Sequence, residues 1–258
     1  MSRSRAAFIL LCFVGVTLPL MPLQQLFLWF WPAMARVFPM HYHRVVLRIL
    51  GVRVSIEGEP LKSGPAILAA NHVSWLDIVI MSSLAPVSFI AKRDVNAWPL
   101  FGQLARLQRT VFVDRHRRHS TGSSRDEMRQ RLAAGDILVL FAEGTSGDGA
   151  SVKPFKSAFF SAVEPGQVPL QPISIAYTGH RNLPMTRRQR PLYAWYGDME
   201  LPPHLWQALS YGPIEITVIC HAPLAIADAG DRKALAKTVE NTIRQGLVHA
   251  LHGRPKTR

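Results

Sequence analysis

Two kinds of residue are scarce in this 258-residue chain: cysteine and acid. Cys12 and Cys220 are the only thiols, too few for a disulfide framework or a four-cysteine zinc site, so a reducing compartment is the default. Charged residues make up 18% of the chain, below the about 25% of ordinary soluble domains. Asp and Glu number 17 against 30 Lys and Arg, a formal net charge of +13. Such an excess implies an anionic partner: nucleic acid, an anionic lipid surface or an acidic substrate. A G-x-S-x-G nucleophile elbow is missing too, as are internal repeats and low-complexity segments. Apolar residues reach 48%, which excludes wholesale disorder. The length fits one large domain or two small ones.

The first region to explain is residues 6–35, which hold no Asp, Glu, Lys or Arg. This run exceeds the roughly 20 apolar residues that a bilayer span needs. A cleaved signal peptide fits poorly, because no small-x-small site closes the run. A simple span is interrupted by Pro19 and Pro22, with Gln24 and Gln25 behind them. The reading preferred is a re-entrant or interface-lying helical hairpin, bent near those prolines. Arg3 and Arg5 precede the run, and Arg36, Arg44, Arg48 and Arg53 follow it. Basic flanks at both ends put both ends on the cytoplasmic side, and Trp29, Phe30 and Trp31 suit the headgroup level. A buried helical subdomain of a soluble protein is the competing reading. Residues 1–53 are therefore expected to form a membrane-associated helical segment at the inner (cytoplasmic) membrane. Residues 54–258 are expected to form the main domain, on the cytoplasmic side.

Beyond residue 53, short apolar runs alternate with helical stretches. Strands are expected at 66–69, 87–91, 110–113, 137–141, 170–176, 192–196 and 214–220. Helices are expected near 73–83, 97–107, 122–134, 155–163 and 231–251. Alternation of this kind predicts an α/β fold, a largely parallel sheet flanked by helices.

Three strand ends carry polar residues. Residues 71–77 read N-H-V-S-W-L-D. On one continuous helix, His72 and Asp77 would lie about 140° apart. They meet only if His72 sits in the turn before a helix and Asp77 one turn inside it. A carboxylate would then hold the imidazole of a general base. The plainer reading, a strand-ending His and a helix-capping Asp, fits most isolated pairs of this spacing. With no enzyme nucleophile in sight, a base suggests activation of the substrate's own hydroxyl. Residues 141–146 read F-A-E-G-T-S after another strand, and T-V-F-V-D-R, residues 110–115, ends a third. Arg115 could grip a phosphate bidentately or join a surface salt bridge.

Taken together, N-H-x4-D, F-V-D-R, F-x-E-G-T and V-P-L-Q-P (168–172) resemble the four ordered blocks of the 1-acylglycerol-3-phosphate acyltransferase family, the PlsC-like lysophospholipid acyltransferases. A-K-R-D-V-N-A-W-P-L-F-G-Q-L (91–104) also resembles the family's connection between its first two blocks. The likeness covers roughly residues 45–180. It implies transfer of a fatty acyl group from acyl-CoA or acyl-carrier protein to a lysolipid hydroxyl. His72 would then be the general base and Asp77 its orienting partner. Asn71, Arg115, Glu143, Gly144 and Thr145 would bind substrate. No metal or organic cofactor is implied; the acyl donor is a co-substrate.

Two departures stand out. Ala142 and Ser146 replace the proline and arginine of the family's F-P-E-G-T-R block, and that arginine is associated with the acceptor phosphate. Arg109 stands where glycine is common. Arg109, Lys153 and Lys156 are candidates to restore the charge. R-P-L-Y-A-W-Y-G-D-M-E-L (190–201) resembles the lyso-ornithine-lipid acyltransferase variant, whose acceptor has no phosphate. Phosphatidic acid synthesis is the first expectation and ornithine lipid synthesis the alternative. The partners expected are an acyl donor carrier, a lysolipid and an anionic membrane surface, with no nucleic acid. A basic nucleic-acid-binding protein is the competing class, resting on D-R-H-R-R-H (114–119), but no helix-turn-helix, zinc-finger or RNP pattern accompanies that run. His41, His43, His116 and His119 lack a third ligand at metal spacing and read as interfacial or surface residues.

Overall fold

A computed structural model of the chain describes residues 2–113, 120–162, 168–224 and 231–253. Two long helices come first, α1 (Arg3–Phe30) and α2 (Pro32–Leu50). They are followed by β1 (Val52–Glu57), β2 (Ala66–Ala70), α3 (Leu76–Leu84), β3 (Val87–Lys92), α4 (Phe101–Leu107) and β4 (Val111–Val113). Then come α5 (Ser120–Ala133), β5 (Ile137–Phe141), β6 (Leu170–His180), the two-residue β7 (Leu183–Pro184), α6 (Leu201–Tyr211), β8 (Ile214–Cys220) and α7 (Arg232–His252).

The strands form one sheet in the order β1-β8-β6-β2-β5-β3-β4, with β7 paired to β6. From β6 to β4 every neighbouring pair is parallel; β8 joins β6 antiparallel and carries β1 parallel to itself. β2 is buried along its whole length, as a strand covered on both faces must be. Its alternate residues split between two cores. Ala66, Leu68 and Ala70 face the layer of α1, α2, α3 and α6, while Ile67 and Ala69 face that of α5 and α7. The chain leaves β2 in one direction, to β3, and leaves β5 in the other, to β6. Loops after β2 and β5 therefore open side by side, where α/β sheets place their sites. The register Ala70↔Phe141 sets His72 next to Glu143.

The predicted strand at 192–196 does not form. Arg190–Leu192 is a short 3-10 turn, and the Trp195 N–H donates to Val73 O at 2.9 Å instead of joining a ladder. β1 went unpredicted because V-R-V-S-I-E alternates like an exposed edge strand behind a basic run. α6 was hidden by Pro202 and Pro203, which the first helical turn tolerates because its N–H groups have no intrahelical acceptor. Residues 157–162 are 3-10 rather than α-helical.

The hairpin at the start is real, but its bend is not at Pro19 and Pro22. α1 continues unbroken through both prolines, and the chain turns at Trp31, with Pro32 opening α2. Among the described residues α1 is the one helix long and apolar enough to cross a membrane. Phe8, Leu11, Trp29, Phe30, Trp31 and Met34 of the pair are exposed. Both ends of the hairpin return to the same place. Ser2 N–H donates to Ser210 O, and Arg5 donates to Leu50 O at 3.2 Å and to Leu209 O. His43, read as a surface residue, instead meets α3: its Nδ1 lies 2.8 Å from Ser82 Oγ, and loss of water pushes its pKa down to about 4.

Candidate active site

α3 starts at Leu76, so His72 lies in the turn before the helix and Asp77 in its first turn. That is the arrangement in which a five-residue spacing brings the pair together. His72 Nδ1 lies 2.8 Å from Asp77 Oδ2. The same oxygen accepts the N–H groups of Val73 (2.6 Å) and Ser74 (2.9 Å), and Oδ1 accepts the Tyr177 hydroxyl at 2.8 Å. Asp77 is fully buried, and four donors offset the loss of water around its charge. Burial and the Asp77 charge push the Tyr177 hydroxyl well above its ordinary pKa, so it remains a donor. Tyr177 was missed in the sequence, where it is one aromatic in the apolar strand β6.

The imidazole stacks on Phe141, with centroids 4.2 Å apart and planes 17° from parallel. Asp77 and Phe141 fix both the tautomer and the tilt of the ring. Nε2 is left for the cavity that His72 lines.

Glu143 was expected at the substrate. It braces the site from behind: Oε1 accepts the His72 N–H at 2.8 Å and Oε2 the Lys153 N–H at 2.9 Å, with 2% of the residue exposed. Burial raises its pKa to about 7, partly opposed by those two N–H groups. Asn71 is likewise engaged by the backbone. Its amide is buried and makes both of its bonds to the backbone of Ile175, donating to the carbonyl and accepting from the N–H, which ties the end of β2 to β6. Gly144 and the exposed Thr145 do line the cavity. Gly144 has φ +75°, a conformation that strains residues with a side chain. Ser146, in the arginine's place, is buried and donates its hydroxyl to Trp195 O. Lys153 Nζ donates to Ser146 O at 2.7 Å, which puts one ammonium beside that position. Lys156 is exposed and is not among the cavity residues.

Arg109 is at the wrong end of the sheet to compensate. It precedes β4, with φ +60°, and grips Asp136, which precedes β5, at 2.7 and 3.1 Å. Left-handed backbone at that position accounts for glycine being common there. Arg115, with the basic run 114–119, lies outside the described residues.

The cavity encloses about 560 Å³ and is mostly apolar. Its walls come from both parts of the chain: Leu10, Phe13 and Met21 of α1, Val46 of α2, and Val79 and Phe89 of the α/β layer. Lys92 and Asp94 bring one charge of each sign to it. Trp195 and Tyr196, on the segment expected to be a strand, close another side, with Trp195 edge-on to Trp98 at 5.9 Å.

This constellation can take a proton from a hydroxyl placed at Nε2 and hold an aliphatic chain beside it. A family model described as Acyltransferase matches residues 53–176. A lyso-ornithine lipid O-acyltransferase of Brucella abortus is 45% identical over 97% of this chain and 96% of its own. One of Rhizobium meliloti is 41% identical over 98% and 89%. A 1-acyl-sn-glycerol-3-phosphate acyltransferase of Neisseria meningitidis is 34% identical over 78% and 77%. Among solved structures, the 1-acyl-sn-glycerophosphate (LPA) acyltransferase PlsC of Thermotoga maritima shares the fold, with a TM-score of 0.73 at 20% identity over the full length of both chains.

Proposed function

The chain belongs to the acyltransferase family, and from that premise we propose that it moves a fatty acyl group from a thioester, acyl-CoA or acyl-carrier protein, to the free hydroxyl of a lysolipid. His72 Nε2 takes the hydroxyl proton as the oxygen attacks the thioester carbonyl. The C–O bond forms, the C–S bond breaks, and His72 returns the proton to the departing thiolate. Asp77 keeps Nδ1 protonated and stabilises the transient imidazolium. The observation that carries this reading is the His72–Asp77 pair opening into an apolar cavity. This chemistry calls on no cofactor.

The acceptor favoured is lyso-ornithine lipid. Its headgroup has an ammonium and a carboxylate but no phosphate. That suits a serine hydrogen-bonded to Trp195 in the arginine's place, and a cavity that offers both Lys92 and Asp94. The nearly full-length relatives of Brucella abortus and Rhizobium meliloti are named for that acceptor. Lysophosphatidic acid, the first expectation from sequence, is the second reading; Lys153 Nζ beside Ser146 favours it, and relatives named for that acceptor support it.

The helical hairpin lies in the cytoplasmic leaflet rather than across the bilayer. Its two ends meet at Arg5 and Leu50, and Arg36 of its second arm pairs with Asp136 of the main domain at 3.3 Å. Cysteines placed at Ser2 and Ser55 should therefore label from the same side. The deciding assay offers labelled acyl thioester with lyso-ornithine lipid and lysophosphatidic acid in parallel. Transfer to neither would overturn the reading.

A further inference from the structure

The outward face of α1 has a break in its own hydrogen bonding. Proline has no N–H, so Pro19 leaves the Gly15 carbonyl without the donor four residues on, and Pro22 leaves the Leu18 carbonyl the same way. Each carbonyl points along the helix towards the ring that replaced its partner. Gly15, Leu18, Pro19 and Pro22 are all exposed. Thr17 holds the only hydroxyl of residues 15–22, and it is engaged elsewhere: it faces inwards, 2% exposed, and lies 2.7 Å from the Tyr42 hydroxyl of α2. Apart from its chain neighbours and the helix's own backbone, no atom comes within 4 Å of where a Cβ on Gly15 would stand. The result is an open notch floored by two backbone acceptors.

The notch interrupts a bulky apolar stripe. Phe8 and Leu11 before it and Leu26 and Trp29 after it continue the same three- and four-residue steps, all exposed. A stripe of that length favours lipid, and the chain's net charge of +13 favours an anionic surface. A carbonyl without a donor is costly in hydrocarbon, where no donor reaches it. Both demands are met at the boundary of headgroups and acyl chains, where a lipid-bound helix lies. The headgroup that answers two neighbouring acceptors is a primary ammonium, with three N–H donors and a positive charge. A trimethylated ammonium has no N–H to offer.

We propose that this notch is a headgroup site for membrane lipids that end in a primary ammonium. It rests on the reading above that the hairpin lies in the leaflet. The inward face of the same stretch, with Thr17, Leu20 and Met21, lines the cavity, so the lipid is held one helix away from the acyl chain. The test titrates the full-length protein with vesicles of one part phosphatidylglycerol to three parts of either phosphatidylethanolamine or phosphatidylcholine, with the same acyl chains. The wild type should bind the phosphatidylethanolamine vesicles about three- to tenfold more tightly. Pro19→Ala with Pro22→Ala restores both helical N–H groups. Alanine suits a helix, so this variant folds, and it should bind the two vesicles equally. Gly15→Leu should lower the preference as well, by filling the notch while both carbonyls stay in place. Phosphatidylethanolamine also changes lipid packing, and comparing the preference between wild type and variant cancels that effect. A wild type indifferent to the headgroup would overturn the proposal, and so would a preference that replacing both prolines leaves intact. Binding to neither vesicle would remove the leaflet reading itself, and this proposal with it.

Discussion

Two buried aspartates sit at opposite edges of the same sheet and do opposite work. Asp77, beyond the C-terminal end of β2, is surrounded by neutral donors: two backbone N–H groups, a tyrosine and an imidazole. Asp136, before the N-terminal end of β5, is surrounded by Arg109, Arg131 and Arg36. A carboxylate held without a cationic side chain would keep its charge available to answer a proton arriving on His72, as the proposed reaction requires. One held by three guanidiniums has that charge satisfied permanently, and it clamps α2, α5 and the turn before β4 together. Residue type and burial are nearly the same at the two places; the partners decide between chemistry and cohesion.

The sharpest way to break this contrast is His72→Ala. Loss of a general base should lower turnover by about 10²–10⁴, with the melting temperature nearly unchanged. Retained wild-type turnover on the preferred acceptor would remove His72 from the reaction. Asp136→Ala should do the reverse. Three guanidiniums would face one another without a counter-charge, and unfolding in urea should show a loss of about 3 kcal/mol. The loss is no larger because Arg36, at 37% side-chain exposure, still reaches water. The kcat of the folded fraction should hold.

A pH titration of stability separates the two edges again. Glu143, behind His72, has its pKa raised to about 7. The folded state therefore binds its proton more tightly than the unfolded one. The associated stability is fully present below about pH 4.5 and is lost as pH rises to about 7, by as much as about 3 kcal/mol. Asp136 is held below its ordinary pKa by its arginines, so its contribution is present at neutral pH and lost only in acid, below about pH 4. Between pH 5 and pH 7.5 the buried, neutral His43 works the other way, gaining stability as pH rises, so the expected signature in urea unfolding is a difference between variants: Glu143→Ala should shift the pH 5 to pH 7.5 change toward greater stability at the higher pH, and Asp136→Ala should leave that change as in the wild type. The same slope in both variants would contradict the assignment.

Asp77→Asn should have a smaller effect than His72→Ala. A carbonyl oxygen in the place of Oδ2 keeps His72, Val73 and Ser74 as donors. The new NH2 would meet Tyr177, whose hydroxyl can turn round and accept. Geometry and tautomer survive, and only the charge is lost, which is about ten- to a hundredfold in kcat. Adding Tyr177→Phe strands that NH2 group, so the double variant should lose stability that neither single change predicts.

How much of this was readable in the chain follows the same division. The His72–Asp77 meeting was legible because a strand, a turn and a helix start were each marked locally, and five residues allow only one way to meet. The central strands were legible because strands buried on both faces are continuously apolar. Asp136 and its arginines were not, because Arg36, Arg109 and Arg131 come from three separate elements and meet only across the fold. Asn71 and Glu143 were placed in the right neighbourhood, but their backbone partners were not foreseen. A sequence shows that a polar group reaches a strand end, not which backbone amides it finds there. The proline pair of α1 misled for a physical reason as well. A proline breaks a helix when nothing compensates, and here the tight turn at Trp31 and packing against α2 reverse the chain instead.

The smallest expected effect tests what the active edge reads in its acceptor. Ser146 lines the cavity, and its hydroxyl is engaged by the Trp195 carbonyl. Ser146→Arg gives up that bond and sends a guanidinium into the space beside Lys153, whose ammonium rests on Ser146 O. Two cations there would repel each other and welcome a phosphate dianion between them. A charge-assisted contact of this sort is worth about 1.5–3 kcal/mol, and repulsion from Lys153 discounts it to roughly the lower figure. Use of lysophosphatidic acid should then rise by about tenfold in kcat/KM, while use of lyso-ornithine lipid falls. Lys153→Met in the same background should remove the repulsion and halve the phosphate pocket at once, leaving the gain smaller than in Ser146→Arg alone. If the ratio of the two acceptors is unmoved by either change, the headgroup does not sit at Ser146. Lys92 and Asp94, which also line the cavity, would then be the charges that read it.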